Sequence, residues 1–468
     1  MLMRWWSRIA HNVQTAYVFT LFYWAARSIL FQQVISGYVF VLTNSNKPVG
    51  MVKGIQGISQ LVFSFPAGYF ADRTRRDTIL KLSCAIGIVA SVLTFYAVEA
   101  SIMNLLYVTF ALWGLFAALQ SPAMEALFAD SIPHGERSFP FMIKYNVSNL
   151  AMILGPAISI LLFLYYGDSW HLEQLKPVLE FGTVLAVIAS LLLLRFDDDL
   201  AYENIRAKEQ HTEKEVEQPL LTPSVVRNEL EIDYEYSDDE DDDRKKRKNA
   251  TERSSLLTTQ ENGDMEEGYL ARQDVRFLCF RTRHVPWLLF FSDFIISNGA
   301  GMTINFFPLF FMQEYGLTPI HISVLFISQP LLVMTLSFLT QRMSKSFGRM
   351  PIIVFTRCFS VLCLFCMAYA QPLALQVVLF LMRGGMMRCS QPLRRSILMD
   401  YVPKDIRARW NAMEGLSVFS WSGSAVVGGY IIDAYGYRTC FLITSLVYVC
   451  GLGLETFLLP LTKHAVEK

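Results

Sequence analysis

The sequence predicts an all-α polytopic membrane protein, with twelve transmembrane helices in two six-helix pseudo-symmetric halves. Apolar stretches of membrane-spanning length recur twelve times, one long charged break divides them six and six, and the second half repeats sequence of the first at a near-constant spacing. Of 468 residues, 53% are hydrophobic and 18% charged, against about 25% charged in average soluble proteins, so a single soluble core is excluded. Lys+Arg and Asp+Glu balance at 41 each, which argues against a nucleic-acid partner. Eight cysteines, several inside apolar runs, do not make a disulfide framework. The Cys363-x-x-Cys366 pair sits in one such run and reads as helix interior.

A helix needs about 20 residues to cross a bilayer. Stretches near that length lie at 16 to 42, 49 to 70, 78 to 98, 102 to 123, 140 to 166 and 175 to 195, then at 285 to 312, 318 to 340, 350 to 370, 372 to 397, 409 to 432 and 438 to 460. Residues 1–15 are too long and too polar-aromatic for a cleaved signal peptide, so the first span is expected to stay as an anchor. The halves are 16–195 and 284–460, with a short tail at 461–468. Between them, residues 196–283 open on Asp197-Asp198-Asp199 and carry seven residues from Ser237 to Asp243, six of them acidic, directly followed by the basic run Arg244 to Lys248. Such composition cannot bury a core and predicts a disordered linker. Seventeen Lys and Arg fall in the termini and connections on one side, against Lys47, Lys176 and Arg438 on the other. The positive-inside rule then places both termini and the linker in the cytoplasm.

Sliding the chain by 270 positions brings residues 121–137 onto 391–407 without a gap, so that Pro122, Asp130, Pro133 and Arg137 fall on Pro392, Asp400, Pro403 and Arg407. These matches follow the fourth and tenth spans, equivalent places in the two halves. A second pair, 71–79 and 344–352, follows the second and eighth spans. Two parallel six-span repeats are a transporter signature, with a substrate site expected near the midplane between them.

The run GYFADRTRRDTIL at 68–80 resembles the loop signature of the major facilitator superfamily: Gly68, then Asp72 four later, then the basic turn with Arg73, Arg75 and Arg76. Gly155-Pro156 resembles a fragment of the fifth-span motif of antiporter branches, although Arg75 stands where the family has Gly and Lys345 replaces Asp in the second copy. The resemblance implies that these loop residues form a cytoplasmic gate which holds the halves together in the outward-open state. It also implies that the first, fourth, seventh and tenth helices line the cavity.

An ionisable residue in hydrocarbon is costly and is a functional candidate by default. Arg27, Asp293 and Arg383 lie farthest from any predicted boundary. An offset near 269 sets Asp293 opposite Trp24, about one turn from Arg27, so the two are expected to face each other. They form either a packing salt bridge or an anion-binding Arg27 with a proton-carrying Asp293. Arg383 and Arg388 follow on the tenth span; with Arg27 they predict a net positive cavity for a carboxylate or phosphate, which guanidinium forks bind bidentately. The repeat maps Glu125 onto Arg395 and Lys144 onto Glu414 with signs exchanged, which predicts one ion pair within each half. Glu455 has no partner visible in the sequence.

The pattern Glu252-Arg-Ser-Ser-Leu256-Leu257 resembles an acidic dileucine signal read by clathrin adaptors, and Tyr202 to Ile205 its tyrosine-based counterpart. They leave an endosomal, lysosomal or vacuolar address open beside the plasma membrane. The basic run suits anionic membrane lipids. No His–acid or His–Cys constellation falls within the spans, and no phosphate-binding GxxxxGK[ST] occurs, so neither an enzyme, a metal or cofactor site, nor ATP-driven transport is expected. The expected function is secondary transport of a small anionic or amphipathic solute by alternating access, with proton coupling. The alternative is a transporter-like sensor or scaffold that signals through the linker.

Overall fold

The computed structural model describes residues 9–133, 138–202, 204–205, 276–277, 280–401 and 407–462. The sorting-signal residues Glu252, Leu256 and Leu257 and the runs at 237–248 lie outside them, as do the side chains of Asp72, Arg73 and Glu414. The chain divides into two units, residues 1–209 with 284–468, and residues 210–283. In the second unit the described part is a short antiparallel pair, β1 (Arg276–Phe277) and β2 (Phe280–Arg281).

The first unit is helical throughout. Its first half comprises α1 (His11–Leu30), α2 (Gln33–Thr43), α3 (Asn46–Arg73), α4 (Arg76–Glu99), α5 (Met103–Asp130), α6 (Ser138–Tyr166) and α7 (Leu172–Leu192). The second comprises α8 (Val285–Ile304), α9 (Phe307–Tyr315), α10 (Pro319–Phe347), α11 (Arg349–Tyr369), α12 (Leu373–Cys389), α13 (Gln391–Tyr401), α14 (Arg407–Tyr435), α15 (Tyr437–Thr456) and α16 (Leu458–Leu461). The pairs α1/α2, α8/α9 and α12/α13 are each one predicted span interrupted once. Among the described residues, ten segments are long and apolar enough to cross a membrane. The two other predicted spans, α3 and α14, are less apolar because they pack on each other at the centre. There Lys53 and Ser59 are buried in protein and Gln56 lines a cavity, so the pressure for apolar side chains is relaxed.

That central contact is built from small residues. A Cβ on Gly50 would collide with the Ala425 carbonyl, one on Gly54 with Val426 and one on Gly57 with Ser422. Glycines spaced four and three apart thus make a flat strip on which α14 lies backbone to backbone.

His11 Nε2 lies 2.9 Å from the Arg195 carbonyl, so the first and sixth spans meet at one end of the unit, the termini end. The described hydrogen bonds between halves lie toward the opposite, far end. Asp433 at the end of α14 accepts from the Asn46 backbone N–H (2.8 Å), the Asn46 side-chain amide (2.9 Å) and the Ser45 hydroxyl, which caps the start of α3 from the other half. Nearby, Trp170 Nε1 donates to the Leu317 carbonyl (2.8 Å), and the Ile320 N–H donates to Asp168 (2.9 Å). Removing a cap typically costs about 1 kcal/mol. Asp433→Ala should therefore lower the far-end-closed population about fivefold, read as faster labelling of a cysteine at Gln32 by an impermeant thiol reagent from that side.

The acid run after the sixth span is more ordered than its composition suggests. Phe196 and Ala201 are buried, and Asn12 holds Asp197 through both backbone groups, accepting from its N–H (3.1 Å) and donating to its carbonyl (2.7 Å). Asp197 and Asp199 face Arg75, at 3.8 and 2.7 Å. The charges that predict a linker from residue 196 are here taken up by partners on the first half.

Candidate functional site

The interruptions in the first and seventh spans are where the two halves form a site. α1 ends at Leu30 and α2 starts at Gln33; α8 ends at Ile304 and α9 starts at Phe307, with Pro308 in its first turn. Irregular backbone at membrane depth is tolerated where it lines a cavity. Phe31, Gln32, Asn305 and Pro308, all at these breaks, line a cavity of about 180 Å³, room for about six waters. Both halves contribute its wall, through spans one, two, five, seven, eight, ten and eleven.

Its chemistry is basic and aromatic. Among the described residues, Arg27, Lys53 and Arg388 are the charged ones that line it, with no carboxylate; Gln32, Gln56, Gln329 and Asn305 add neutral donors and acceptors. Trp24, Phe31, Phe326 and Trp421 supply flat apolar walls. The Arg27 guanidinium carbon lies 5.3 Å from the Trp24 ring centre and 5.9 Å from that of Phe31. Lys53 Nζ approaches the same Phe31 ring to 5.4 Å and donates to the Phe31 carbonyl at 2.6 Å. Two basic side chains therefore bracket one ring at the break of the first span.

Arg27 and Arg388 thus line the cavity, whereas Asp293 and Arg383 do not. Asp293 does not face Arg27. Its Oδ1 lies 2.6 Å from Arg394 and 3.3 Å from Arg357, both within its own half. The breaks explain the misplacement: they align Leu30 with Ile304, an offset of 274 rather than 269. By that register Arg27 lies three residues before its break and Asp293 eleven before its own, which sets Asp293 about 12 Å nearer the termini end. Arg383 is buried, stacks 4.9 Å from the Phe307 ring and donates to the Tyr448 hydroxyl at 2.7 Å.

Three residues not weighted in the sequence reading matter here. Lys53 lies close enough to a predicted span edge to read as peripheral. Arg357 bonds Glu455, whose side chain is fully buried, and also Asp293. The signal was present: between residues near the span ends, Arg357 and Glu455 are the lone charges of the ninth and twelfth spans, and their signs are opposite.

At the termini end of the first half, Lys144 Nζ lies 2.6 Å from Glu125 Oε1 and 4.6 Å from the Phe128 ring centre. Arg395 is exposed on α13. Reversing both charges, Glu125→Lys with Lys144→Glu, should keep expression and melting near wild type, while either single reversal, which sets like charges together, should depress both. Of the loop signature, Arg75 reaches Asp77 and Asp199, and Arg76 reaches Asp130. In this conformer Asp77 and Asp130 belong to the first half, and Asp199 to the acid run that follows it. Gly155 lies where its Cβ would strike Ser28, so it lets the fifth span close on the first.

Two six-span halves around a polar cavity at paired helix breaks define a multi-pass membrane transporter. The chain belongs to the Major Facilitator Superfamily, whose family profile matches residues 16–413 and 289–468. It is 31% identical over 153 residues to a Na(+), Li(+), K(+)/H(+) antiporter of Planococcus maritimus, covering 32% of this chain and 34% of the relative. It is 27% identical over 148 residues to the uncharacterized MFS-type transporter YqjV of Bacillus subtilis (strain 168), covering 31% and 33%. These matches span about a third of either relative. Among solved structures, a bacterial homologue of the human lysosomal transporter Spinster, inward-facing and occupied, superposes with a TM-score of 0.65 at 12% identity over 95% of each chain. The nucleoside transporter NupG gives 0.62 at 13% identity over 95% of this chain and 98% of its own. At that identity the likeness establishes the fold, not the cargo.

Proposed function

We propose that this protein is a secondary transporter that moves a small organic anion by alternating access. The observation that carries the reading is the cavity between the halves, with Arg27, Lys53 and Arg388 and, among the described residues, no carboxylate on its wall. Guanidinium groups in a confined, low-dielectric site hold a carboxylate or phosphate by charge-assisted forks, and the ring faces suit an apolar body. The partial relative is a cation/proton antiporter, but an inorganic cation entering this cavity would meet the fixed guanidinium charges of Arg27 and Arg388. With the termini in the cytoplasm, as the positive-inside count directs, the far-end contacts close the outer side of this conformer. A proton gradient is the proposed drive. The dileucine and tyrosine patterns support an endolysosomal or vacuolar address through clathrin adaptors.

The test is uptake by the purified full chain in liposomes offered pools of small anions, cations and neutral solutes, with and without a pH gradient. Saturable anion flux, lost in Arg27→Ala and Arg388→Ala, is expected. Saturable cation flux unaffected by either substitution would overturn the reading. Linker-dependent signalling without flux would favour a sensor.

A further inference from the structure

The cavity holds three basic side chains, of which Arg27 and Arg388 are guanidiniums and Lys53 alone is an amine. Guanidinium stays charged in proteins, whereas a buried lysine amine readily exchanges its proton. Lys53 is 4% exposed. The groups described around its amine are the Phe31 carbonyl and the Phe31 and Phe110 rings, the second at 5.6 Å. Arg27 approaches the same Phe31 ring, and Arg388 lines the same cavity. The described acids on the helices packed against α3 are engaged elsewhere: Asp77 by Arg75 and Lys81, Glu99 with Glu180, Glu125 by Lys144, Asp130 by Arg76, and Asp433 by Ser45 and Asn46 at the far end. On α14, the side chains of Arg407, Arg409 and Glu414 lie outside the described residues.

We infer that Lys53 is the proton carrier of this transporter, uncharged in the empty cavity and protonated when an organic carboxylate binds beside it, so that one anion and one proton cross together. The inference rests on the anion-transport reading and replaces Asp293, clamped by two arginines outside the cavity, as the coupling group. The step balances simply. The amine takes one proton from water on the open side as the carboxylate enters, the pair crosses as ammonium and carboxylate, and both leave on the other side. Burial and a neighbouring guanidinium disfavour an ammonium; an arriving carboxylate supplies the missing opposite charge. The carbonyl accepts a hydrogen bond from either form of the amine, so Lys53 stays in place throughout. Coupling follows because the charged amine without its anion is penalised in a dry site beside two guanidiniums, and the anion gains its third counter-charge only when the amine is protonated.

The experiment is titration calorimetry on the full chain in detergent, with benzoate and phthalate as probes, since both carboxylates stay ionised near neutral pH. Repeating it in buffers of different ionisation heat counts the protons taken up per anion bound. Wild type is expected to take up about one proton, and its affinity to fall about tenfold per pH unit once the free amine is uncharged. Lys53→Arg, with a fixed charge, is expected to bind with no proton uptake and a flat pH profile, and Lys53→Met to bind more weakly, also without uptake. Binding by wild type without proton uptake, or uptake that persists in either variant, would overturn the inference while leaving anion transport standing. Failure of both probes to bind wild type would overturn the anion reading and this inference with it. The wild-type proton count keeps the test decisive should a substitution prevent folding.

Discussion

Arg357→Leu is expected to destabilise the protein by about 3–5 kcal/mol, because it strips the shared cation from two carboxylates inside the second half. The Arg357 side chain is 4% exposed and that of Glu455 is fully buried, and the same guanidinium also reaches Asp293 at 3.3 Å. Four helices depend on it, since Asp293 lies on α8, Arg357 on α11, Arg394 on α13 and Glu455 on α15. The cluster carries two acids and two arginines and is neutral as a whole. Leucine at 357 leaves Asp293 with Arg394 but leaves Glu455 with no described counter-charge. Lysine should rescue poorly, because a point ammonium lacks the fork that reaches both acids. The double variant Arg357→Leu with Glu455→Leu removes the stranded carboxylate as well and should recover most of the loss, as apolar replacements of buried pairs commonly do. Thermal unfolding of the detergent-purified chain followed by tryptophan fluorescence checks the order: the single variant lowest, the double variant near wild type. Equal melting of the two would show that Arg357 does not hold Glu455.

The architecture was legible because its causes are one-dimensional. A bilayer imposes a fixed run length, and a duplicated half leaves its Pro and Asp residues in register, as at Pro122 and Pro392. The site was legible only in part, because its causes lie between helices. Arg27 and Arg388 could be found as charges in spans. The interruption at Phe31-Gln32 carries no proline or glycine to announce it, and without that landmark a register five residues off looked equally good. That error alone turned Asp293 from a partner of Arg394 into an apparent partner of Arg27. Lys53 was hidden for another reason. α3 begins at Asn46, capped by Asp433 from the other half, so a residue that reads as near a span edge lies two turns into a helix wrapped by protein. The charge run at Asp197 to Asp199 was misleading in the same sense, since the partners that order it, Asn12 and Arg75, are distant in the chain.

The glycine strip between α3 and α14 sets the balance between conformers, and Gly50→Ala should shift it most. In this conformer the added Cβ would press on the Ala425 carbonyl, a backbone atom that cannot turn aside, and also lie 3.1 Å from the Val426 Cα. Overpacking of this kind costs about 1–3 kcal/mol. An alternating-access protein escapes the cost by parting the two helices at the far end, so the strain becomes a population shift of about 5- to 150-fold. Gly54→Ala meets only a methyl of Val426, which can rotate, and should shift it less. Gly453→Ala, with open space around its Cβ, should shift nothing. The reporter is a cysteine at Gln32 in the cavity, on a background without the exposed Cys358 and Cys450, labelled from the far side by an impermeant maleimide. Labelling should accelerate in the order Gly50, Gly54, Gly453, the last equal to wild type. Because the cavity itself is untouched by these substitutions, anion binding to detergent-solubilised protein should survive in all three. A uniform response would mean that the strip is helix packing alone and that the far-end contact is not a gate.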